Sequence, residues 1–375
     1  MFQSAQSRRA YLVMIFDGLC ASSASVILPL LRENYDIPYQ IAGLLLAFLS
    51  IGNLASALLC GFLPRWWGVR KTALVFTSGM FLGYLLLSIS GLPVFLLLGF
   101  LLIGLGKGSS MNHATVITGA EVEDKTKSVN LINALFAVGS LLAPLVYLVS
   151  GRIPVWNAPV IALTISGAIV WFMFCTMGID KSRRAGAQKD DLSFLKGRHF
   201  WFTTAFLFGA QCVEISVTGW LVTYFKDQGI LSAGLSEWTV TVIWGAMLIG
   251  RLLYAFVLPS SSRLRSLFLI SCACIVTYSM LLFSSSGIAA LVSLFLFGLS
   301  ISGCYPIAIA AANKTLSNAS VGVLLPVAGI GAIVMPYITG AVAQEVGIHG
   351  GMMCSFAAIG IMLVFSFHMR RSRNT

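Results

Sequence analysis

Apolar residues fill this sequence in long blocks, and polar residues interrupt them only briefly. A hydrocarbon core about 30 Å thick takes about 20 residues of helix per crossing. On that rule the pattern predicts twelve membrane helices, at 10–31, 39–63, 72–90, 93–118, 127–150 and 156–178, then at 198–225, 235–258, 265–283, 287–312, 320–345 and 348–369. Backbone groups in lipid must be satisfied internally, which leaves helices or a closed barrel. The runs lack the strict apolar–polar alternation of barrel strands, so an all-α integral membrane fold is expected.

The longest polar run falls in the middle, between the sixth and seventh segments. It carries Lys181, Arg183, Arg184, Lys189, Lys196 and Arg198 against Asp180, Asp190 and Asp191. The expected organisation is therefore an N-terminal six-helix bundle at 1–178, a cytoplasmic loop at 179–197 and a C-terminal six-helix bundle at 198–375. The loop reads as a solvated strap, with regulation as the alternative. Two internal echoes point to related halves. Gly139 and Pro144 in the fifth segment have the same spacing as Gly331 and Pro336 in the eleventh, and Ile51-Gly52 in the second recurs as Ile249-Gly250 in the eighth. A duplicated six-helix unit gives echoes near half the chain length.

Composition agrees with lipid as the solvent, since only 10% of the 375 residues are charged and 58% are hydrophobic. The formal net charge is +11. It does not read as a nucleic-acid footprint, because Lys and Arg are confined to short loops and tails, where they act as topology signals. With the N-terminus inside, the inner side holds Arg8, Arg9, Arg65, Arg70, Lys71, Lys125, Lys127, the central-loop cations, Arg263, Arg265, Lys314, Arg370, Arg371 and Arg373. The outer side holds Arg32, Arg152 and Lys226. Both termini and the central loop are thus expected in the cytoplasm. Arg8 and Arg9 precede an apolar run that reaches Leu31, the length of a spanning helix rather than of a cleaved signal. The eight cysteines lie in apolar segments without metal-ligand spacing, and read as small buried hydrophobes.

Three charges fall well inside predicted helices: Asp17, Lys107 and Glu214, with Arg251 nearer the inner end of the eighth segment. A charge at mid-membrane costs several kcal/mol, and such residues face a partner or a water-filled cavity. Asp17 and Lys107 lie on antiparallel segments at depths about 6 Å apart, within reach of a lysine stem. They form either an ion pair that opens on protonation or a static structural pair. His113 is either a satisfied interior histidine or a proton relay. Asn130 and Asn133 share a face of the fifth segment, where they either donate to a hydroxylated ligand or bind helices together. Gln211, Glu214 and Thr218 share a face of the seventh, with Trp220 and Tyr224 toward its outer end. A carboxylate, an amide and an aromatic plane suit a sugar. Trp220 and Trp244 either line a cavity or pack, whereas Trp66, Trp67, Trp156, Trp201 and Trp238 lie near helix ends as interfacial belt residues.

Twelve helices, a long central loop and a duplicated half resemble the major facilitator superfamily, and the motifs resemble its fucose-permease-type sugar:proton symporter branch. Asp17 stands before Pro29 in the first segment. The fifth reads Asn130-Leu-Ile-Asn133-Ala-Leu-Phe-Ala-Val-Gly139, similar to N-L-x-[HQ]-x-F-x-x-x-G. The seventh has Glu214, Gly219-Trp220-Leu and Tyr224, similar to E-x-x-x-x-G-W-L-x-x-Y. The eleventh has Ala328, Gly331, Pro336 and Gly340, similar to A-x-x-G-x-A-x-x-P-x-x-x-G.

The resemblance implies proton coupling at Asp17, a sugar-facing amide at Asn133 and the branch's helix-7 acid at Glu214. It further implies uptake by alternating access in a cell membrane of the bacterial inner-membrane kind. The expected partners are a small-molecule substrate, protons and the lipid bilayer, with no nucleic acid, no cofactor and a monomeric state. Three departures stand out. The branch's fourth-segment acid falls at Gly108, beside Lys107. The loop signature G-x-x-x-D-R-x-G-R-K has Arg65 in place of its aspartate. The antiporter signature G-P-x-x-G-G is replaced by Ala143-Pro144-Leu145.

The site residues expected from all this are Asp17 and Lys107 for proton coupling. Asn130, Asn133, Gln211, Glu214, Thr218, Trp220, Tyr224 and Trp244 are expected to bind substrate. Transport of an organic anion held by Lys107, or efflux of amphipathic compounds, is the alternative within transport. A nontransporting sensor or scaffold is the alternative outside it, and would be expected to carry a soluble output domain, which this sequence does not show. No H-E-x-x-H, G-x-S-x-G or Walker A motif is present, which speaks against an intramembrane enzyme and ATP-driven transport.

Overall fold

A computed structural model describes residues 5–119, 125–177, 192–256, 263–312 and 318–371, and among these no strand occurs. The first part contains α1 (Ala5–Tyr35), α2 (Tyr39–Phe62), α3 (Pro64–Trp67), α4 (Val69–Ile89), α5 (Pro93–Gly119), α6 (Lys125–Leu141), α7 (Ala143–Ser150) and α8 (Ala158–Thr176). The second contains α9 (Arg198–Asp227), α10 (Ala233–Phe256), α11 (Arg263–Leu282), α12 (Gly287–Ile301), α13 (Cys304–Ala312), α14 (Asn318–Gly329), α15 (Gly331–Met353) and α16 (Ser355–Arg371). The chain divides into two compact units, 1–186 and 187–375. Most of the central loop, including its Lys181–Asp191 charges, lies outside the described residues. Its last part, Leu192–Lys196, is a 3-10 turn ahead of α9.

Among the described residues, ten helical stretches are long and apolar enough to cross a bilayer, and the last of them, 323–371, is 49 residues long. That is about 73 Å of helix at 1.5 Å per residue, more than two crossings. It doubles back at Gly347, whose φ of 81° and ψ of 165° end one helix and start another. Gly351 lies directly against Thr339 and Ala343 on the far side of that turn. With α10 added, the passes number twelve.

Three expected helices are interrupted. The fifth pass is α6 and α7, joined at Leu142; Pro144 follows at once and cannot donate to the preceding turn. The tenth is α12 and α13, broken at Ser302–Gly303 just before Pro306. The eleventh is α14 and the start of α15, which meet at Ile330. In the other direction, α1 is longer than the apolar run alone predicts. At 31 residues it spans about 46 Å, which covers the headgroup layers as well as the hydrocarbon.

The two sequence echoes turn out to be equivalent packing contacts. A Cβ on Gly52 would sit 2.1 Å from the Leu101 carbonyl oxygen, and one on Gly250 would sit 3.0 Å from that of Leu299 and 2.2 Å from Ser302 Oγ. Residues 52 and 250 are 198 apart, as are 101 and 299. Likewise Gly139 abuts the Ile15 carbonyl oxygen, at 1.9 Å from a built Cβ, and Gly331 abuts that of Phe208, at 2.5 Å. In each half these glycines let the second pass meet the fourth, and the fifth-type pass meet the first, at backbone distance.

Within its half, α1 lies against α5, α6 and α8, and every residue from Asp17 to Pro29 is buried. Its counterpart α9 lies against α10, α13, α14, α15 and α16. Large apolar side chains such as Ile165, Phe172, Phe283 and Ile288 are instead exposed, as expected of faces solvated by lipid.

Candidate functional site

Each half carries one acid at the middle of its first helix, and each acid faces a cation. In the N-terminal half the acid is Asp17, on the fully enclosed stretch of α1, with no solvent exposure at all. Ser110 of α5 donates a hydrogen bond to its Oδ1. No described residue hydrogen-bonds its Oδ2. Lys107, one turn before Ser110 and half-buried, is the opposite charge that acts on it. The ammonium of Lys107 lies over the ring of Phe136 on α6, 5.7 Å from its centroid, a cation–π placement.

Three elements therefore converge on one carboxylate. They are held in register by close contacts: a Cβ on Gly18 would sit 2.0 Å from the Phe136 carbonyl oxygen, and Tyr84 of α4 donates to the Cys20 carbonyl. Asn133 is half-buried on α6, three residues before Phe136. The side chain of Asn130 lies outside the described residues.

His113 belongs to the structural reading. Its Nδ1 is 2.8 Å from the Ser109 carbonyl oxygen and 3.2 Å from the Ser109 hydroxyl, and its ring meets Phe174 edge-on. A ring nitrogen donating to its own helix one turn back is a satisfied interior group.

In the C-terminal half the acid is Glu214 of α9. Its Oε1 lies 4.0 Å from Nη2 of Arg251 on α10, with the two side chains 16% and 31% exposed. Cys304 and Tyr305 open α13, which packs against α9, the helix that carries Glu214. Gln211 is half-buried one turn before Glu214. Trp244 is half-buried two turns before Arg251, on the same face of α10.

The remaining sequence candidates on α9 are engaged elsewhere. Thr218 Oγ1 donates to the Glu214 carbonyl at 2.7 Å. Trp220 is fully buried, and its Nε1 donates to the Pro336 carbonyl at 3.1 Å. Tyr224 is also fully buried, donates to the Leu282 carbonyl at 3.2 Å and stacks on His349. These rings hold α9 to α11 and α15.

Two residues that sequence reasoning left out of the site lie on the helices packed against Glu214's. Arg251 was visible only as a charge near a helix end, and Tyr305 not at all. A signal for both was present in the 198-residue shift, which carries Asn53 onto Arg251 and Lys107 onto Tyr305. Among the described residues no group of three His, Cys, Asp or Glu side chains is placed to hold a metal ion.

Comparison with known proteins follows the same lines. The family model described as Major Facilitator Superfamily matches residues 10–325. The chain is 23% identical over 315 residues to the glucose/mannose transporter GlcP of Bacillus subtilis (strain 168), covering 79% of this chain and 77% of that protein. It superposes on the D-xylose-proton symporter with a TM-score of 0.77 at 14% identity, over 97% of this chain and 96% of the other. It superposes on the nucleoside transporter NupG with a TM-score of 0.76 at 15% identity, over 98% and 99%.

Proposed function

The chain belongs to the Major Facilitator Superfamily and is a multi-pass membrane transporter, not an enzyme; from that premise we propose that it couples proton entry to uptake of a sugar or similar hydroxylated small molecule. The observation that carries the coupling is the environment of Asp17. A carboxylate with one serine donor, one oxygen that no described residue hydrogen-bonds and no access to solvent is held against the ammonium of Lys107. Binding a proton there removes a charge whose burial costs several kcal/mol, so loading and unloading Asp17 changes the relative energies of states that bury or expose it. Lys107 and the Phe136 ring beneath it set where the opposite charge rests when the carboxyl is neutral.

The substrate class is supported by similarity to GlcP, since the solved structures speak only to the fold. Asn133 in the first half, and Gln211 with Glu214 in the second, supply amide and carboxylate groups suited to hydroxyls. Two related halves are what alternating access by rocking of one bundle against the other builds on. The excess of Lys and Arg on one side supports a cell-membrane protein with both termini and the central loop in the cytoplasm. The protein acts as a monomer.

The test is uptake of labelled D-glucose and D-mannose into proteoliposomes with an imposed pH gradient, inside alkaline. Accumulation that collapses with a protonophore is expected. Accumulation unaffected by the gradient removes proton coupling. Uptake of organic acids in place of sugars moves the reading to anion transport through Lys107.

A further inference from the structure

We propose that Arg251, with Glu214 and Tyr305, forms a substrate-binding site inside the C-terminal half, in which a hydroxyl of the substrate bridges the carboxylate and the guanidinium. The proposal rests on the sugar reading above and assigns to it a cation that sequence and family resemblance leave unassigned. Three observations carry it.

The first is spacing. Charge-assisted hydrogen bonds of this kind close to about 2.7–2.9 Å, whereas the nearest Glu214–Arg251 atoms stand 4.0 Å apart. The groups attract each other without closing to a hydrogen bond, and a donor–acceptor group beside them can reach both at about 2.8 Å. A hydroxyl fits, since it donates to the carboxylate and accepts from the guanidinium at once.

The second is access. Glu214 and Arg251 keep 16% and 31% of their side-chain surface open, and Tyr305 keeps 39%, whereas Asp17 keeps none. Glu214 is a charge in the middle of an apolar helix and does not open onto lipid, so its open surface, with Arg251 beside it, faces a polar cavity. The interruption at Ser302–Gly303 begins a new helix at Cys304, next to Tyr305. Broken helices of this kind line substrate sites in transporters.

The third is the repeat. Lys107 and Tyr305, and Asn53 and Arg251, are 198 residues apart, the same shift that relates Gly52 to Gly250. One slot on the second pass and one on the fourth thus occupy equivalent places in the two halves. The N-terminal half fills these with an amide and a cation. The C-terminal half moves the cation to the second-pass slot and places a phenol in the fourth. That phenol adds an aromatic face and a hydroxyl, the groups that suit the ring and edge of a sugar, beside an acid and a guanidinium. The enclosed half is arranged to hold a proton, and the open half to hold a ligand.

The test uses the full-length protein, purified and titrated with D-glucose and D-mannose while thermal stability is followed. E214Q, R251M, R251K and the E214Q/R251M double variant are compared with wild type. Loss of a hydrogen bond to a charged group lowers affinity about tenfold or more. R251M and E214Q are each expected to lose that much, R251K to recover part of it, and the double variant to bind at least tenfold more weakly than wild type. A strut that only joins α9 to α10 is replaced by the neutral pair, so wild-type affinity in the double variant overturns the site. The double variant strands no charge and carries the test even where a single variant unfolds. Should neither sugar stabilise the wild type, the substrate class falls and this site falls with it. Binding by wild type and double variant alike removes this site alone.

Discussion

Removing Lys107 tests whether it and Asp17 act as one unit. Asp17 has no exposed surface, one serine donor and one oxygen without a hydrogen-bond partner, so Lys107→Ala leaves a buried acid with a single neutral hydrogen bond. Breaking a buried pair from one side costs about 3–5 kcal/mol when the remaining charge has no escape. A carboxyl can escape by taking a proton, so the observed loss is expected below that, at about 2–3 kcal/mol. Asp17→Asn keeps an oxygen for Ser110 and removes the charge, at a cost of about 1–2 kcal/mol. In the double variant neither charge is stranded. The expected coupling is then about 1–3 kcal/mol, read from a double-mutant cycle on the unfolding of purified protein and repeated on substrate counterflow. Single costs that add to within about 0.5 kcal/mol would show that the two side chains do not interact. An affinity loss confined to Lys107→Ala, and equal in both Asp17 backgrounds, would assign Lys107 to an anionic substrate instead.

Asp17→Asn alone is expected to abolish accumulation against a gradient while sparing exchange of internal for external substrate in counterflow; concentrative uptake by this variant would remove Asp17 from coupling. A thiol introduced as Gln188→Cys should resist impermeant maleimide applied to intact cells and react after permeabilisation; labelling from outside would invert the proposed topology. Gly139→Val and Gly331→Val should each cost about 1–3 kcal/mol or more, since even a Cβ meets a carbonyl oxygen at 1.9 and 2.5 Å. Gly61→Ala, with nothing within 4 Å, should be silent in the same thermal assay. Trp220→Phe should lower stability by about 1 kcal/mol through the lost bond to Pro336, and should leave substrate affinity unchanged.

The passes were legible in the sequence because lipid imposes a length on every apolar run, and Gly52/Gly250 and Gly139/Gly331 were legible because only glycine admits those approaches. The interruptions at Leu142 and Ser302 were less so. Each precedes a proline by a few residues, but proline at Pro29 is carried inside a continuous helix, so its presence alone does not decide. Asp17 and Lys107 stood out because isolated charges are rare in such segments. The Glu214–Arg251 contact did not, because partners on different helices are fixed by rotation about each helix axis, which periodicity leaves open in a helix apolar on most sides. The partners of the aromatic residues of α9 were hidden for a related reason. Trp220 and Tyr224 carry the polar tips expected at a ligand, yet spend them on the backbone carbonyls of Pro336 and Leu282.

The turn at Gly347 has a consequence for how the chain is made. With one left-handed residue between them, and Gly351 already against Thr339 and Ala343, the last two passes have almost no slack. In the folded chain neither can shift across the bilayer without the other, which favours their entry into the membrane as a single hairpin. The order of assembly at this end of the protein is set by the shortness of a connection.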